Sequence, residues 1–413
     1  MNAERNTLLN TLDDGLTAFD TLSLLQGTKE LFPALIEAID AARHSIELET
    51  YIFDTTQSGA DIAKSLAQAA ARGVSVRLLV DGFGTPQLDA EWSLRFKQAG
   101  VHVLVFEPIV TFGFFIPSQW RRLHRKLCVI DKTLAFCGGI NILDDFYDPN
   151  HGTLPAARFD FCVRVTGSLV PAIHQVTNQL WGQLAAHELG MRKIPERMLT
   201  ALEKFKQKQA PRKFKSSLSS QKLKYADLVL RDNVSNRSAI ERAYLQAIGE
   251  ARRSIVIANA YFLPGAKLRK ALINAAKRGV KVQLLLQGKY EYFLQYHAVR
   301  PVYGVLLAAG IEIYEYTPSY LHAKVAVVDG VWATVGSSNL DPLSLLLARE
   351  ANIVVQDKVF ANSLSERLCT AILQNSKRIE PSELANRPWA QRIRDRIAFA
   401  FMRTSLWFIG KRY

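Results

Sequence analysis

The chain has 413 residues, of which 48% are apolar and 22% are charged, and its formal net charge is +14 at pH 7. This length predicts two domains or one duplicated fold, and the charge predicts an anionic partner, either nucleic acid or an anionic membrane. The polar residues 1–20 argue against a signal peptide, and no window reaches the roughly 18 apolar residues of a spanning helix, which excludes an integral membrane protein. The cysteines lack disulfide-like spacing, which predicts a reducing compartment: Cys128, Cys137, Cys162 and Cys369.

Predicted helices and strands alternate through the first half of the chain, from about Leu24. The hydrophobic periodicity predicts helices at 33–43, 60–73 and 87–99, and strands at 45–53, 74–84 and 101–108. This alternation is typical of an α/β sandwich.

The second half repeats the order of the first and much of its sequence. The matching segments are 238–252 with the opening helix, 254–264 with 45–53, 278–288 with 72–82, and 309–318 with 99–108. Because the similarity covers whole domains, we predict a duplicated α/β domain. The two halves differ at some polar positions. The alignment between them places Glu49 opposite Asn259 and Asp81 opposite Gln287.

One short motif occurs once in each half with identical spacing. It reads H-x-K-x4-D, then six residues, then G-[GS]-x-N, at 124–141 and again at 322–339. A His and a Lys two residues apart on a strand point to the same face, because side chains alternate. The apolar run after each Lys predicts a strand buried on both faces, and each Asp stands where a turn should begin. A single H-x-K is usually surface decoration, but two identically spaced copies are not expected by chance.

Two His–Lys–Asn sets would form one site if the halves met across a pseudo-twofold axis. Lys and Asn donors would face phosphate oxygens, where negative charge grows during displacement. One imidazole would attack phosphorus and hold the phosphoryl group, while the other protonates the leaving alcohol and deprotonates the incoming one. This chemistry requires no metal, and no His/Cys/Asp cluster has ligand spacing, so we expect no cofactor.

The duplicated H-x-K-x4-D motif resembles the phospholipase D superfamily, of which it is the defining feature. Finer segments resemble bacterial cardiolipin synthases from about Leu24 to about Asp357: 46–53, 72–84, 123–141 and 333–345. Residues 229–233 and 258–265 are most similar to the cardiolipin synthase B branch. The resemblance implies two tandem phospholipase D-like α/β/α sandwich domains related by pseudo-twofold symmetry, with the active site at their interface.

The resemblance also implies roles for individual residues. The motifs supply the catalytic set His124, Lys126, Asp131, His322, Lys324 and Asp329, and phosphate-binding residues Asn141, Ser337 and Asn339. Asp160 and Glu350 are implied as carboxylates that each orient the histidine of the opposite half. By the same analogy, His124 is expected to be the nucleophile. We interpret Asp131 and Asp329 as structural acids that hold the turn.

The activity implied by the resemblance is transfer of a phosphatidyl group between two phosphatidylglycerol molecules, with release of glycerol, through a phosphohistidine. The expected partners are phosphatidylglycerol, other anionic phospholipids and the membrane surface, at the cytoplasmic side of the bacterial inner membrane as a peripheral protein. The alternatives are a phospholipase D-type hydrolase, a nuclease acting on phosphodiesters, or a membrane-binding scaffold. Basic residues cluster beside apolar aromatics rather than on a base-stacking platform, which argues against nucleic acid.

The predicted domain map has five parts: an N-terminal extension (1–23), a first phospholipase D-like domain (24–187), a basic connector (188–222), a second domain (223–375) and a membrane-interacting tail (376–413). The connector is either a solvated linker or a contact for lipid phosphates. The aromatic loop 108–120 either covers the site or dips into a bilayer, and 393–409 is either interfacial or packed. The expected membrane anchors are Phe112, Phe114, Phe115, Trp120, Phe399, Phe401, Trp407 and Phe408.

Overall fold

The structure is a computed structural model, and it describes residues 21–108, 121–148, 151–188, 226–232, 236, 238–289, 293–341 and 348–408. Nearly all of the predicted N-terminal extension, aromatic loop and basic connector lies outside the described residues. Across the described ranges, no helix combines the length and apolar character needed to cross a bilayer. The five-part domain map stays a prediction.

The described part of the first half contains ten strands, seven of which form a mixed sheet with helices packed on it. Its strands are β1 (Leu22–Gln26), β2 (Ser45–Thr50), β3 (Ser75–Asp81), β4 (His102–Phe106), β5 (Arg122–Leu123), β6 (Lys126–Ile130), β7 (Leu134–Gly138), β8 (Tyr147–Asp148), β9 (Gly152–Thr153) and β10 (Phe161–Thr166). Its helices are α1 (Gly27–Ala41), α2 (Gln57–Ala71), α3 (Ala90–Ala99) and α4 (Val170–Glu188). The sheet order is β1-β10-β7-β6-β2-β3-β4, and β8 and β9 form a separate hairpin.

The second half repeats this architecture. Its strands are β11 (Ala226–Arg231), β12 (Ser254–Asn259), β13 (Lys281–Gln287), β14 (Glu312–Tyr316), β15 (Lys324–Val328), β16 (Trp332–Gly336), β17 (Ala348–Gln356) and β18 (Ser376–Arg378). Its helices are α5 (Ala239–Glu250), α6 (Ala266–Lys277), α7 (Phe293–Leu307), α8 (Lys358–Gln374), α9 (Pro381–Ala385) and α10 (Trp389–Phe408). The order β11-β17-β16-β15-β12-β13-β14 matches the first sheet strand for strand. The predicted duplication of an α/β domain is confirmed.

Local sequence explains how the corresponding helices form and end. In α2 the buried residues Ile62, Leu66 and Ala69 recur every three to four positions, so one face of the helix is apolar. Both α2 and α6 are followed by a glycine in the left-handed region, Gly73 with φ of 92° and Gly279 with φ of 86°. Glycine adopts this conformation without a Cβ clash, so the chain turns directly into the next strand.

The strand register corrects one part of the sequence alignment between the halves. Glu49 pairs with Leu127 in the first sheet, and Ala258 pairs with Val325, the matching motif position, in the second. Glu49 therefore corresponds to Ala258 rather than to Asn259. The match of segment 45–53 with segment 254–264 also places Glu49 opposite Ala258, so the pairing of Glu49 with Asn259 was shifted by one position.

The two halves pack through the inner faces of their sheets. One apolar core joins Val163 and Val165 of β10 to Val335 of β16 and Ile353 of β17. All five residues of β6 and all five of β15 are buried, as expected for strands covered on both faces. Strand β5 of the first half pairs with β17 of the second half, because Arg122 pairs with Ala348 at the start of β17. The interface is therefore continuous with the cores and holds the two motifs together.

Strand β18 is the first element of the predicted tail. It pairs antiparallel with β14, so Ser376–Arg378 extends the edge of the second sheet. Helix α10 follows it and packs along α7 through Ala398 and Met402. The described part of the tail is therefore attached to the second half of the fold.

Candidate active site

Both H-x-K motifs lie where the two halves meet. The backbone N–H of His124 donates to the carbonyl oxygen of Arg349 at 3.0 Å, and that of His322 donates to the carbonyl oxygen of Phe159 at 2.9 Å. These hydrogen bonds run between halves, and each accepting residue immediately precedes a carboxylate residue. The fold thereby places each histidine beside the acid of the opposite half.

Each histidine is paired with a buried carboxylate. His124 Nδ1 lies 3.1 Å from Glu350 Oε1, and His322 Nδ1 lies 2.7 Å from Asp160 Oδ2. The histidine side chains keep 16% and 22% of their exposure, whereas the carboxylates keep 0% and 4%. Each ring is thus held by a carboxylate on its buried side and keeps an accessible part.

The two motif lysines are buried in the same cluster. Lys126 Nζ donates to the carbonyl oxygen of His124 at 2.7 Å, and Lys324 Nζ donates to the carbonyl oxygen of His322. Lys324 Nζ also lies 3.8 Å from Asp160 Oδ2. Burial and the nearby charge of Lys324 lower the pKa of Lys126 to about 7. The cluster therefore concentrates positive charge where an anion would bind.

Burial and neighbouring charge favour neutral imidazoles in this site. Burial lowers the pKa of His124, and the Glu350 carboxylate only partly reverses that change. Burial, followed by the charges of Lys324 and Lys126, lowers the pKa of His322 well below its usual value. A neutral imidazole has the lone pair that a nucleophile needs, so both rings are chemically competent at neutral pH.

The two carboxylates differ in their preferred charge. Burial raises the pKa of Asp160 to about 7, although Lys324 opposes that change. Burial alone would also raise the pKa of Glu350, but His124 and Ser337 are among the groups that outweigh it and lower that pKa. Glu350 is therefore ionised at neutral pH, whereas Asp160 is close to half protonated. The pseudo-twofold site is electrostatically asymmetric.

The residues of the G-[GS]-x-N segments take different positions. Ser337 is fully buried, and its Oγ donates to Glu350 Oε2 at 2.5 Å and accepts the backbone N–H of Ala351. The hydroxyl of Ser337 therefore contacts the Glu350 carboxylate, and its assignment to phosphate binding stays a prediction. At the matching position, a Cβ on Gly139 would lie 2.4 Å from Asp160 Oδ1. Gly139 leaves room for the Asp160 carboxylate, whereas Ser337 donates its hydroxyl to Glu350. The second position of the motif therefore differs together with the carboxylate beside it.

The two asparagines are placed at the corresponding ends of β7 and β16. Asn141 is 9% exposed and its Oδ1 accepts the backbone N–H of Ile52 at 3.2 Å. Asn339 is 2% exposed in the second half. Their assignment to phosphate binding stays a prediction.

The motif acids lie at the other end of β6 and β15 from the histidines. Asp131 and Asp329 have φ of 48° and 55°, which places both in a left-handed turn. Their carboxylates accept backbone N–H groups in each half, from Arg43, His44 and Ser45 and from Arg252, Arg253 and Ser254. Both acids therefore bind the backbone of a turn, and their assignment to the catalytic set stays a prediction.

Sequence reasoning missed three residues that support the motifs. Asp81 Oδ2 accepts the backbone N–H of Leu123 at 2.7 Å, and Gln287 Oε1 accepts that of Leu321 at 3.3 Å. Each accepts from the residue immediately before a motif histidine, so the aligned pair performs the same task in both halves. The ring of Tyr51 lies 5.0 Å from that of His124. The Asp81–Gln287 alignment was the available signal, and nothing in the sequence indicated Tyr51.

Within the part of the chain that the structure describes, no three His, Cys, Asp or Glu side chains form a group that could hold a metal ion.

We expect the KM for an anionic phosphodiester to rise between about pH 6 and about pH 9. The pKa of Lys126 is lowered to about 7, so its ammonium group is charged below that pH and loses its proton above it. A neutral amine attracts phosphate oxygens less strongly, and a bound anion moves the midpoint upward. Lys126→Arg stays charged throughout and should flatten the KM profile. A wild-type KM that is constant over this range would contradict the assignment.

Comparisons with known proteins agree with this architecture. The family described as "Cardiolipin synthase, PLD-like domain" matches residues 35–154 and 244–370, once in each half. Cardiolipin synthase B of Salmonella typhi is 37% identical over 383 residues, covering 92% of this chain and 87% of the relative. Cardiolipin synthase B of Escherichia coli strain K12 is 36% identical over 385 residues, with the same coverage of 92% and 87%. The crystal structure of phosphatidylserine synthase from Haemophilus influenzae has a similar fold, with a TM-score of 0.67, 15% identity and 99% of both chains covered.

Proposed function

Because this chain belongs to the cardiolipin synthase family of phospholipase D-like proteins, we propose that it is a phosphatidyltransferase that makes cardiolipin. It joins two phosphatidylglycerol molecules and releases glycerol. The observation that carries this proposal is the pair of histidine–carboxylate contacts, each formed between opposite halves around the two buried lysines. Such a site suits a double displacement at phosphorus, in which one alcohol replaces another.

The different charges of the carboxylates assign different roles to the two histidines. Ionised Glu350 accepts a hydrogen bond from Nδ1–H of His124, which leaves the Nε2 lone pair free to attack phosphorus. Protonated Asp160 instead donates to Nδ1 of His322, which places the ring proton on Nε2. His124 is therefore the nucleophile, and His322 is the general acid.

In the first step, Nε2 of His124 forms a bond to phosphorus and the bond from phosphorus to the glycerol oxygen breaks. Nε2 of His322 gives its proton to that oxygen, and Asp160 passes its own proton to Nδ1 of the same ring. Glycerol leaves neutral, and a phosphatidyl group remains on His124. Lys126 and Lys324 stabilise the negative charge on the phosphoryl oxygens.

In the second step, the free glycerol hydroxyl of another phosphatidylglycerol enters where glycerol left. Nε2 of His322 accepts the hydroxyl proton, and Nδ1 returns a proton to Asp160. The alcohol oxygen bonds to phosphorus, and the bond to Nε2 of His124 breaks. Cardiolipin is released with both rings restored. Water in place of the alcohol would give phosphatidate, so slow hydrolysis is the expected side reaction.

The proposed setting is the cytoplasmic surface of the bacterial inner membrane, where the protein is bound peripherally. Phosphatidylglycerol and other anionic phospholipids are the proposed partners. Support comes from the net charge of +14, which attracts an anionic surface. Support also comes from the diacyl substrate, which resides in the bilayer and must be reached there.

Incubation with vesicles that contain phosphatidylglycerol tests the proposed reaction directly. Mass spectrometry should detect cardiolipin and glycerol in equal amounts, with phosphatidate as a minor product. Phosphatidate as the main product would favour a hydrolase, and cleavage of added DNA or RNA without any lipid product would favour a nuclease. Heat-treated protein controls for spontaneous hydrolysis.

A further inference from the structure

Helix α10 is fixed to the second half of the fold by its inner face. Asp395 is buried, and its Oδ1 lies 2.7 Å from Nδ1 of His297 on α7. Ala398 and Met402, each within one turn of the next, pack against Ala298 of α7. A buried polar contact and an apolar seam therefore define which side of α10 faces the protein.

The outer face of α10 carries a row of large apolar side chains. Trp389, Ile393, Ile397 and Phe401 are spaced by four residues, so they lie on one side of the helix. Their exposed fractions are 72%, 46%, 63% and 61%. Exposed apolar side chains are normally scattered, so a continuous row of four indicates a binding surface.

Arginines border this row on both sides. At 100° per residue, Arg392 and Arg396 fall on one flank of the apolar row, and Arg394 falls on the other. All three are exposed. An apolar stripe between cationic flanks matches an interface of acyl chains beneath anionic headgroups.

We propose that this outer face of α10 docks onto an anionic phospholipid bilayer, with the apolar row at the level of the acyl chains and the three arginines at the lipid phosphates. The proposal rests on the proposed function in that it supplies the bilayer contact which a diacyl substrate requires. A second copy of the chain is a poorer occupant, because pairing two such faces would bring the arginines of both copies together. Phosphate oxygens neutralise those charges instead.

The inner face of α10 packs close to the segment that carries the second motif. Met402 lines a cleft together with Leu263 and Gln287. Gln287 accepts the backbone N–H of Leu321, which directly precedes His322.

The structure changes the set of predicted tail anchors. Phe399 is half-buried and packs against the apolar cores of the second half, so it cannot also enter a bilayer. Phe401 is exposed on the docking face, and Trp389, Ile393 and Ile397 join it. The side chains of Trp407 and Phe408, like the aromatic loop anchors Phe112, Phe114, Phe115 and Trp120, lie outside the described residues.

The double variant Ile393→Gln/Ile397→Gln tests the apolar row, because Gln sustains a helix but opposes insertion. Co-sedimentation with phosphatidylglycerol vesicles should weaken by about tenfold or more. Leu94→Gln is the matched control, since Leu94 is a 55% exposed aliphatic residue on α3 in the first half. It should bind vesicles as the wild type does. Activity on short-chain phosphatidylglycerol in solution should be unchanged in both variants.

Wild-type vesicle binding by the double variant would overturn the proposal. If that variant also loses activity in solution, its fold is in question. The variant Arg392→Gln/Arg396→Gln then tests the docking face, because it removes no apolar contact. It should weaken binding to anionic vesicles by about fivefold for each charge removed, and undiminished binding would overturn the proposal. Size-exclusion chromatography without lipid detects the competing outcome, since a dimer lost in the double variant would assign this face to a second copy. Vesicle binding without any cardiolipin product would reject the proposed function and leave the docking face intact.

Discussion

His124→Ala and His322→Ala should each lower cardiolipin formation by about 10³-fold or more. Each variant removes a ring that contacts the reacting atoms, and its buried carboxylate partner cannot replace it. Neither ring is part of an apolar core, since both keep measurable exposure, so the fold should survive. Circular dichroism and thermal unfolding check that the variants are folded. A rate near that of the wild type in either variant would reject the two-histidine mechanism.

The two variants should differ with a substrate whose alcohol leaves without protonation. With a phosphatidyl ester of nitrophenol, His322→Ala still has the nucleophile, so it should release nitrophenol in a burst of about one per active site. His124→Ala lacks the nucleophile and should give no burst. Digestion at alkaline pH preserves a phosphorus–nitrogen bond and should place the phosphatidyl group on the peptide that contains His124. Labelling of the His322 peptide alone would reverse the two roles.

The architecture could be predicted from sequence because duplication doubles the signal. Each strand and helix pattern occurs twice at matching distances, so the α/β alternation and the buried strands after each Lys were predictable. One residue pair was misaligned: Glu49 was paired with Asn259, although the match of 45–53 with 254–264 and the strand register both place it opposite Ala258.

The site was only partly predictable, because its residues are joined by contacts that are distant in sequence. The motif spacing identified His124 and His322, but their pairing with Glu350 and Asp160 depends on backbone contacts between the halves. Family resemblance supplied those carboxylates, and their positions could not be inferred from spacing. The contact of the Ser337 hydroxyl with the Glu350 carboxylate was also not predictable from the motif spacing.

In the proposed mechanism, different charge states of the two carboxylates separate the nucleophile from the general acid. Ser337 donates to Glu350 and helps to keep it ionised, whereas Gly139 at the matching position offers no hydroxyl to Asp160. In the proposed mechanism, this single difference between the repeats accompanies opposite proton positions on the two imidazoles. This arrangement gives testable and unequal roles to two carboxylates that look equivalent in sequence.

Glu350→Gln should lower the rate by about 10²-fold or more with every leaving group. Glutamine has no charge to stabilise a proton on Nδ1 of His124, so attack by Nε2 is impaired whatever alcohol departs. Asp160→Asn should behave differently, because its amide still donates to Nδ1 of His322 but has no proton to transfer. We expect a loss of about 10²-fold with phosphatidylglycerol and little loss in the nitrophenol burst.

The pH dependence of kcat separates these roles further. The pKa of Asp160 is raised to about 7, so its carboxyl group is protonated below that pH and loses its proton above it. Wild-type kcat with phosphatidylglycerol should therefore fall as the pH rises through about 7, because Nε2 of His322 then lacks the proton for the leaving alcohol. Asp160→Asn has no carboxyl group to titrate and should lack this alkaline decrease, whereas Glu350→Gln should keep it. Equal losses and identical pH profiles in the two variants would show that the two carboxylates have the same role, and the division between nucleophile and acid would be wrong.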